Sequence, residues 1–144
     1  MQKGQGLEER VPLFAARCVS VCEAIHAKRL KAGHFKDRIP RVRQHESQSD
    51  APAGVLFRCA TGVSAKCAEA EEPESRRDFI RKMKAAMKEL AESRSWLRII
   101  AACGYLDEKR LTPLIDESLE LTRMMGASVA TARRKLEQEG DKEI

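Results

Sequence analysis

The stretch ESRRDFIRKMKAAMKELAESRSWLRIIAACGYLDEKR, Glu74 to Arg110, reads as one long capped helix, a tight corner and the start of another helix. Ser75 stands where an N-cap is wanted, and Asp78 three residues later resembles a capping box with Asp in place of the more usual Glu or Gln. Phe79, Met83, Ala86, Leu90, Ser93, Leu97 and Ile100 then recur at helical spacing over about six turns, with Met87 and Trp96 broadening the seam. Gly104 is placed to end the helix in a left-handed conformation, and Tyr105 and Leu106 can fold back onto its last turn. Such a helix buries one stripe and exposes the rest, so it needs other helices as partners.

Working outward, three further segments supply them. Leu7, Val11, Phe14, Cys18, Val21 and Ile25 recur at spacings of 4, 3, 4, 3 and 4, the pattern of a helix burying one seam. Pro12 interrupts its start, so the regular helix is predicted over about 11–26. A second helix is predicted over about 54–71, with Val55, Leu56, Cys59, Val63, Cys67 and Ala70 inward. Small residues, among them Ala60, Gly62, Ser64 and Ala65, let another helix approach closely. The third covers 75–103. Asp107 caps a fourth over about 108–135, carrying Leu111, Leu114, Ile115, Leu121, Thr122, Met125, Val129 and Ala132 inward. Its charged end, ARRKLEQEGDKEI, is expected to fray. Residues 27–53 lose the periodicity: Gly33, Pro40 and Pro52 break it, and QHESQSDAPAG has no face to bury. This stretch is predicted to be a basic, loop-like insertion, partly disordered. The fold class is all-α, an antiparallel up-and-down four-helix bundle with a long connection between helices one and two.

Composition agrees. At 144 residues the chain fits one domain; it is 42% hydrophobic, 34% charged and only 4% aromatic, which suits a core of Leu, Met, Ile and Ala. No apolar run approaches the roughly 18 residues of a membrane span, and the N-terminus lacks the apolar run of a leader, so a cytoplasmic protein is expected. Five cysteines, an odd number at mostly core-like spacings, point to free thiols in a reducing compartment. The net charge is +5, and it is unevenly placed. Between Ala27 and His45 seven basic residues face one acid, so the rest of the chain is close to neutral.

The sharpest local signal is a basic stripe. Arg77, Arg81, Lys84 and Lys88 follow spacings of 4, 3 and 4 and share one face of helix three, where phosphates could sit. Arg133 and Arg134, with Lys135, could extend it. The competing reading is a solvated face with local pairing, Asp78 to Lys82 and Lys88 to Glu92. With one Trp and one Tyr there is no aromatic platform for bases, so any nucleic-acid binding would be electrostatic and indifferent to sequence. Phe79, Trp96, Leu97 and Tyr105 are read as packing or assembly residues.

Nothing announces catalysis or a cofactor. His26, His34 and His45 lie without a nearby nucleophile, and there is no Gly-rich phosphate loop. Cys18 and Cys22 with Cys59 and Cys67 could be imagined as a metal set, but Cys59 and Cys67 are about 12 Å apart along a helix, and buried small hydrophobes account for them better. No metal ligands are assigned, and the chain is read as non-enzymatic.

The residues also resemble a known family, the four-helix bundle proteins read from intervening sequences of bacterial 23S ribosomal RNA genes. The resemblance rests on Ala68-Glu69-Ala70, Glu74-Ser75-Arg76-Arg77-Asp78-Phe79-Ile80, Lys84 with Lys88-Glu89, Glu92-Ser93, Trp96-Leu97 and Gly104-Tyr105-Leu106, and runs from about Val55 to Arg134, with LEER and Phe14-Ala15 agreeing earlier. Where the family usually reads LLRSGTSVGANY, this chain reads LFRCATGVSAKC, and the 27–53 stretch stands outside the resemblance. The resemblance implies a homo-oligomer, often a pentameric ring, with no enzymatic activity. Through the related accessory proteins of diversity-generating retroelements it implies RNA or DNA and a reverse transcriptase as partners. The alternative is a protein-binding scaffold.

Overall fold

The computed structural model describes residues 6–32 and 51–142, which form four helices: α1 (Leu7–Ala32), α2 (Ala51–Glu71), α3 (Arg76–Ala102) and α4 (Glu108–Lys142). Each helix packs on the next in sequence, and α1 closes the ring against α4. Cross-helix pairs run in opposite senses. Gly62 lies against Glu89 while Cys59 lies against Glu92; Arg76 meets Glu139 while Arg94 meets Thr122; Arg10 meets Glu117 while Lys28 meets Tyr105. Neighbours are therefore antiparallel, an all-α up-and-down bundle.

The centre of α3 follows its seam. Met83, Ala86, Leu90, Ser93, Leu97 and Ile100 are buried, and Phe79, Met87 and Trp96 pack half-buried beside them. Each fully buried leucine contributes about 2 kcal/mol of apolar transfer. Ser75 is the N-cap, its Oγ accepting the Asp78 N–H at 3.0 Å. The reciprocal bond departs from the usual box: the Asp78 carboxylate accepts the N–H of Glu74 at 3.2 Å rather than that of the cap itself. At the other end Gly104 takes φ 71°. The Tyr105 N–H reaches the Ile100 carbonyl and the Gly104 N–H that of Ala101, which pairs two carbonyls that a helix end leaves open. Tyr105 and Leu106 then pack back on the core.

Three boundaries differ from the sequence reading. Helix α1 starts at Leu7, not near Val11, because Gly6 supplies a carbonyl for the Glu9 and Arg10 N–H groups. Pro12 and Pro113 both lie inside helices and both are exposed, so water can reach the carbonyls they leave unpaired. Residues 27–32 and 51–53, predicted as loop, are helical extensions of α1 and α2; the remainder of that insertion lies outside the described residues. Helix α4 continues to Lys142 instead of fading near 135, since Arg76 of α3 holds Glu139 by two hydrogen bonds, the Nε one at 3.1 Å.

The inward lists hold with local exceptions. Leu7, Val55, Phe79, Ile115 and Thr122 are only half-buried, while Glu117 and Ser118 are buried without having been expected to be. Glu117 is inside because Arg10 meets it from α1, Nε to Oε1 at 2.8 Å and Nη2 to Oε2 at 3.0 Å, with Arg10 Nη1 on Met124 Sδ at 3.2 Å. Among the described residues no buried side-chain nitrogen or oxygen lacks a partner.

Candidate nucleic-acid interface

The turn of α3 that buries Met83, Ala86 and Leu90 sends its opposite face to solvent, and there Arg77, Arg81, Lys84 and Lys88 are all exposed. At 1.5 Å per residue the four cations span about 16 Å along the helix. Arg81 bonds Asp78 at 2.6 Å, and Lys82 approaches the same carboxylate at 3.3 Å. Asp78 is held below its ordinary pKa, first by the Glu74 N–H and then by Arg81 and Lys82, against the opposing effect of burial. Among the described residues Arg77, Lys84 and Lys88 have no ion-pair partner.

The pairing of Lys88 with Glu92, one half of the solvated-face reading, does not form. Glu92 turns instead toward α2, where a carboxylate oxygen lies within 4.8 Å of Cys59 Sγ and of a Glu89 oxygen. The other half, Asp78 with Lys82, is present. The stripe therefore keeps most of its charge.

Arg133 and Arg134 are exposed on α4. Because Arg76 meets Glu139, they lie toward the end of the bundle that carries Arg77 and Arg81. Arg134 donates to Thr131 Oγ1 at 3.3 Å. Sequence reasoning missed Arg98, exposed two heptads beyond Lys84 on the outward side of α3; its seven-residue spacing to Ala91 and Lys84 was the available signal. Beside it Arg94 is held below its ordinary value by burial and then by Arg98, and donates to Thr122 Oγ1 at 3.2 Å.

The aromatic set serves the interior. Leu97 is wholly buried, and Phe79, Trp96 and Tyr105 are half-buried against the core. Phe79 also lines an open groove of about 700 Å³ between Pro73 and Arg76 at the head of α3 and Thr131, Ala132 and Lys135 on α4. Among the described residues the exposed large apolar side chains are Leu13, Phe57 and Ile99.

Burial disfavours the thiolate form of Cys18, Cys22, Cys59 and Cys67. It pushes Cys18 and Cys59 up to about 12 and Cys22 and Cys67 to about 11, with Glu92 and Glu89 adding to the rise at Cys59. Cys103 is exposed. One Glu-x-x-His pair, Glu23 and His26, occurs on α1, but both side chains are exposed, whereas a di-iron bundle projects such pairs inward. No helix among the described residues is long and apolar enough to cross a membrane.

The family model of the 23S rRNA-intervening sequence proteins matches residues 35–127. The chain belongs to this family. The matched interval takes in α2, α3 and much of α4, hence the whole α3 stripe, and leaves out α1, Arg133 and Arg134. It begins at residue 35, inside the 27–53 stretch that the sequence reading set apart from the family. A crystal structure of a protein with unknown function from the S23 ribosomal protein family of Bacteroides thetaiotaomicron VPI-5482 shares the fold, with a TM-score of 0.69 and 22% identity. The likeness covers 86% of this chain and 98% of that one, a share too large for α2, α3 and α4 alone, so α1 is part of the common fold. Among curated proteins none matches this chain.

Proposed function

We propose that this protein is a non-enzymatic, self-associating bundle that holds the backbone of RNA or DNA on the outer face of α3, acting as an accessory to a nucleic-acid enzyme such as a reverse transcriptase. The observation that carries the reading is the set of four exposed cations, Arg77, Arg81, Lys84 and Lys88, three of them without an ion-pair partner among the described residues. A row of unneutralised cations on a rigid helix attracts phosphates without reading bases, because its interaction is with backbone charge. Burying Trp96 and Tyr105 in part against the core leaves the stripe without a stacking platform, which favours backbone contact over sequence readout. The family description, an intervening sequence in ribosomal RNA, supports a nucleic-acid setting.

Fluorescence anisotropy with a labelled RNA strand and a labelled DNA duplex at low salt tests the reading. Binding to both is expected, and charge reversal of Arg77, Arg81, Lys84 and Lys88 to Glu removes most of it. Absence of binding by the wild-type chain refutes the reading; unchanged binding by the variant moves the site to the basic 27–45 segment.

A second reading, a protein-binding scaffold, is favoured by the exposed side chains of Leu13, Phe57 and Ile99. Self-association without nucleic-acid binding is the result that selects it.

A further inference from the structure

Away from the basic stripe, where α2 crosses α3, three ligand-bearing side chains converge. Cys59 Sγ and a carboxylate oxygen from each of Glu89 and Glu92 lie within 4.8 Å of one another. Glu89 and Glu92, one helical turn apart, present both carboxylates to the same patch of α2. Neither has an ion-pair partner among the described residues, so two like charges face each other with no cation between them. The Cys59 side chain is 1% exposed and aimed into the cluster. Gly62, one turn further along α2, makes the room: a Cβ there would stand 3.3 Å from Glu89 Cδ. Glu92 is exposed and opens the cluster to solvent, while Glu89 is half-buried.

We propose that Cys59, Glu89 and Glu92 form a site for one thiophilic divalent cation, of which Zn²⁺ is the type, clamping α2 to α3. One thiolate and two carboxylates supply three of the four positions of a tetrahedral ion, and water reaching the cluster past Glu92 supplies the fourth. Zn–S and Zn–O bonds of roughly 2.3 and 2.1 Å place sulfur and oxygen roughly 3.5 Å apart, so closure needs about 1 Å of contraction. Rotation of the two glutamate side chains covers that, with Gly62 leaving Glu89 free to turn. On binding, the Cys59 thiol releases its proton to solvent as the S–metal bond forms. The thiolate selects Zn²⁺ or Co²⁺ over Mg²⁺ and Ca²⁺, which prefer oxygen donors. The site lies on the α2 side of α3 and is independent of the nucleic-acid reading.

The test uses the full chain carrying Cys103→Ser, which removes the exposed thiol, after treatment with a chelator. Titration with Co²⁺ is expected to give a thiolate-to-cobalt charge-transfer band saturating at one equivalent per chain, and Zn²⁺ is expected to displace it. Cys59→Ser abolishes the band, and Glu89→Gln or Glu92→Gln weakens Zn²⁺ binding by about 10-fold to 100-fold or more. Absence of the band, equal Zn²⁺ affinity in Cys59→Ser, or Mg²⁺ binding as tight as Zn²⁺ overturns the proposal. Should Cys59→Ser lose its helical circular dichroism, Glu92→Gln decides, because that side chain is exposed and its removal leaves the core intact; unchanged Zn²⁺ affinity there overturns the site.

Discussion

Replacing Glu117 with Ala asks whether α1 closes the bundle as the structure has it, a useful question since α1 lies outside the matched family interval. Arg10 and Glu117 meet with side chains only 13% and 11% exposed, and two parallel hydrogen bonds join them. Removing one partner of a buried pair costs about 3–5 kcal/mol, because the survivor's charge is left desolvated. Arg10 is long and near the start of α1, so part of that cost is relieved by its reaching water, and the low end, about 3 kcal/mol, applies. For a chain of this length that is a fall of roughly 10 °C in Tm. The double variant Arg10→Met with Glu117→Leu keeps the volume without the charges and lies within about 1 kcal/mol of wild type. Urea denaturation of wild type, Arg10→Met, Glu117→Leu and the double variant gives the coupling energy directly. A loss below about 0.5 kcal/mol for Glu117→Ala, with no coupling to Arg10, refutes this account of how α1 docks.

Other outcomes follow from the same contacts. Asp78 has a pKa lowered in the folded state, chiefly by the Glu74 N–H, so it stabilises the fold above the ordinary aspartate pKa and that contribution is lost as pH falls through its lowered value. Asp78→Asn therefore flattens the acid limb of a stability-against-pH curve, and an unchanged limb contradicts the assignment. Gly104→Ala forces an alanine to φ 71° and costs about 1–2 kcal/mol, measurable as a Tm fall of a few degrees. Leu90→Ala empties a wholly buried site between helices and costs about 2–5 kcal/mol; a cost below 1 kcal/mol in urea denaturation means the seam is misplaced.

What could be read from the chain, and what could not, divides by how far apart the partners lie. The cap at Ser75, the seam from Met83 to Ile100 and the corner at Gly104 depend on residues within a few positions of one another, so their pattern is visible in the string itself. The start of α1 was hidden by Pro12, which sits on the exposed side of the helix, where water reaches the carbonyl it leaves unpaired. The length of α4 was hidden because Glu139 is held by Arg76 from another helix. The basic stripe was legible in its spacing, but its lack of neutralising partners was not: Glu92 could equally have turned to Lys88, and only the packing of α2 on α3 shows it beside Cys59. The cysteine readings illustrate the same limit. Four thiols were considered together as a metal set, and the ligand-bearing neighbours of Cys59 turned out to be glutamates of α3.

The central claim, that α3 holds a phosphate backbone, is tested most directly by the salt dependence of RNA binding. The logarithm of the association constant is measured against the logarithm of salt concentration for wild type and for Lys84→Gln with Lys88→Gln, on a single-stranded RNA. Each phosphate contact contributes about 0.7 to the slope on a single strand, so losing two lowers it by roughly 1.4. A slope reduced by that amount, with helical circular dichroism unchanged, is the result this account predicts; a slope identical to wild type contradicts it.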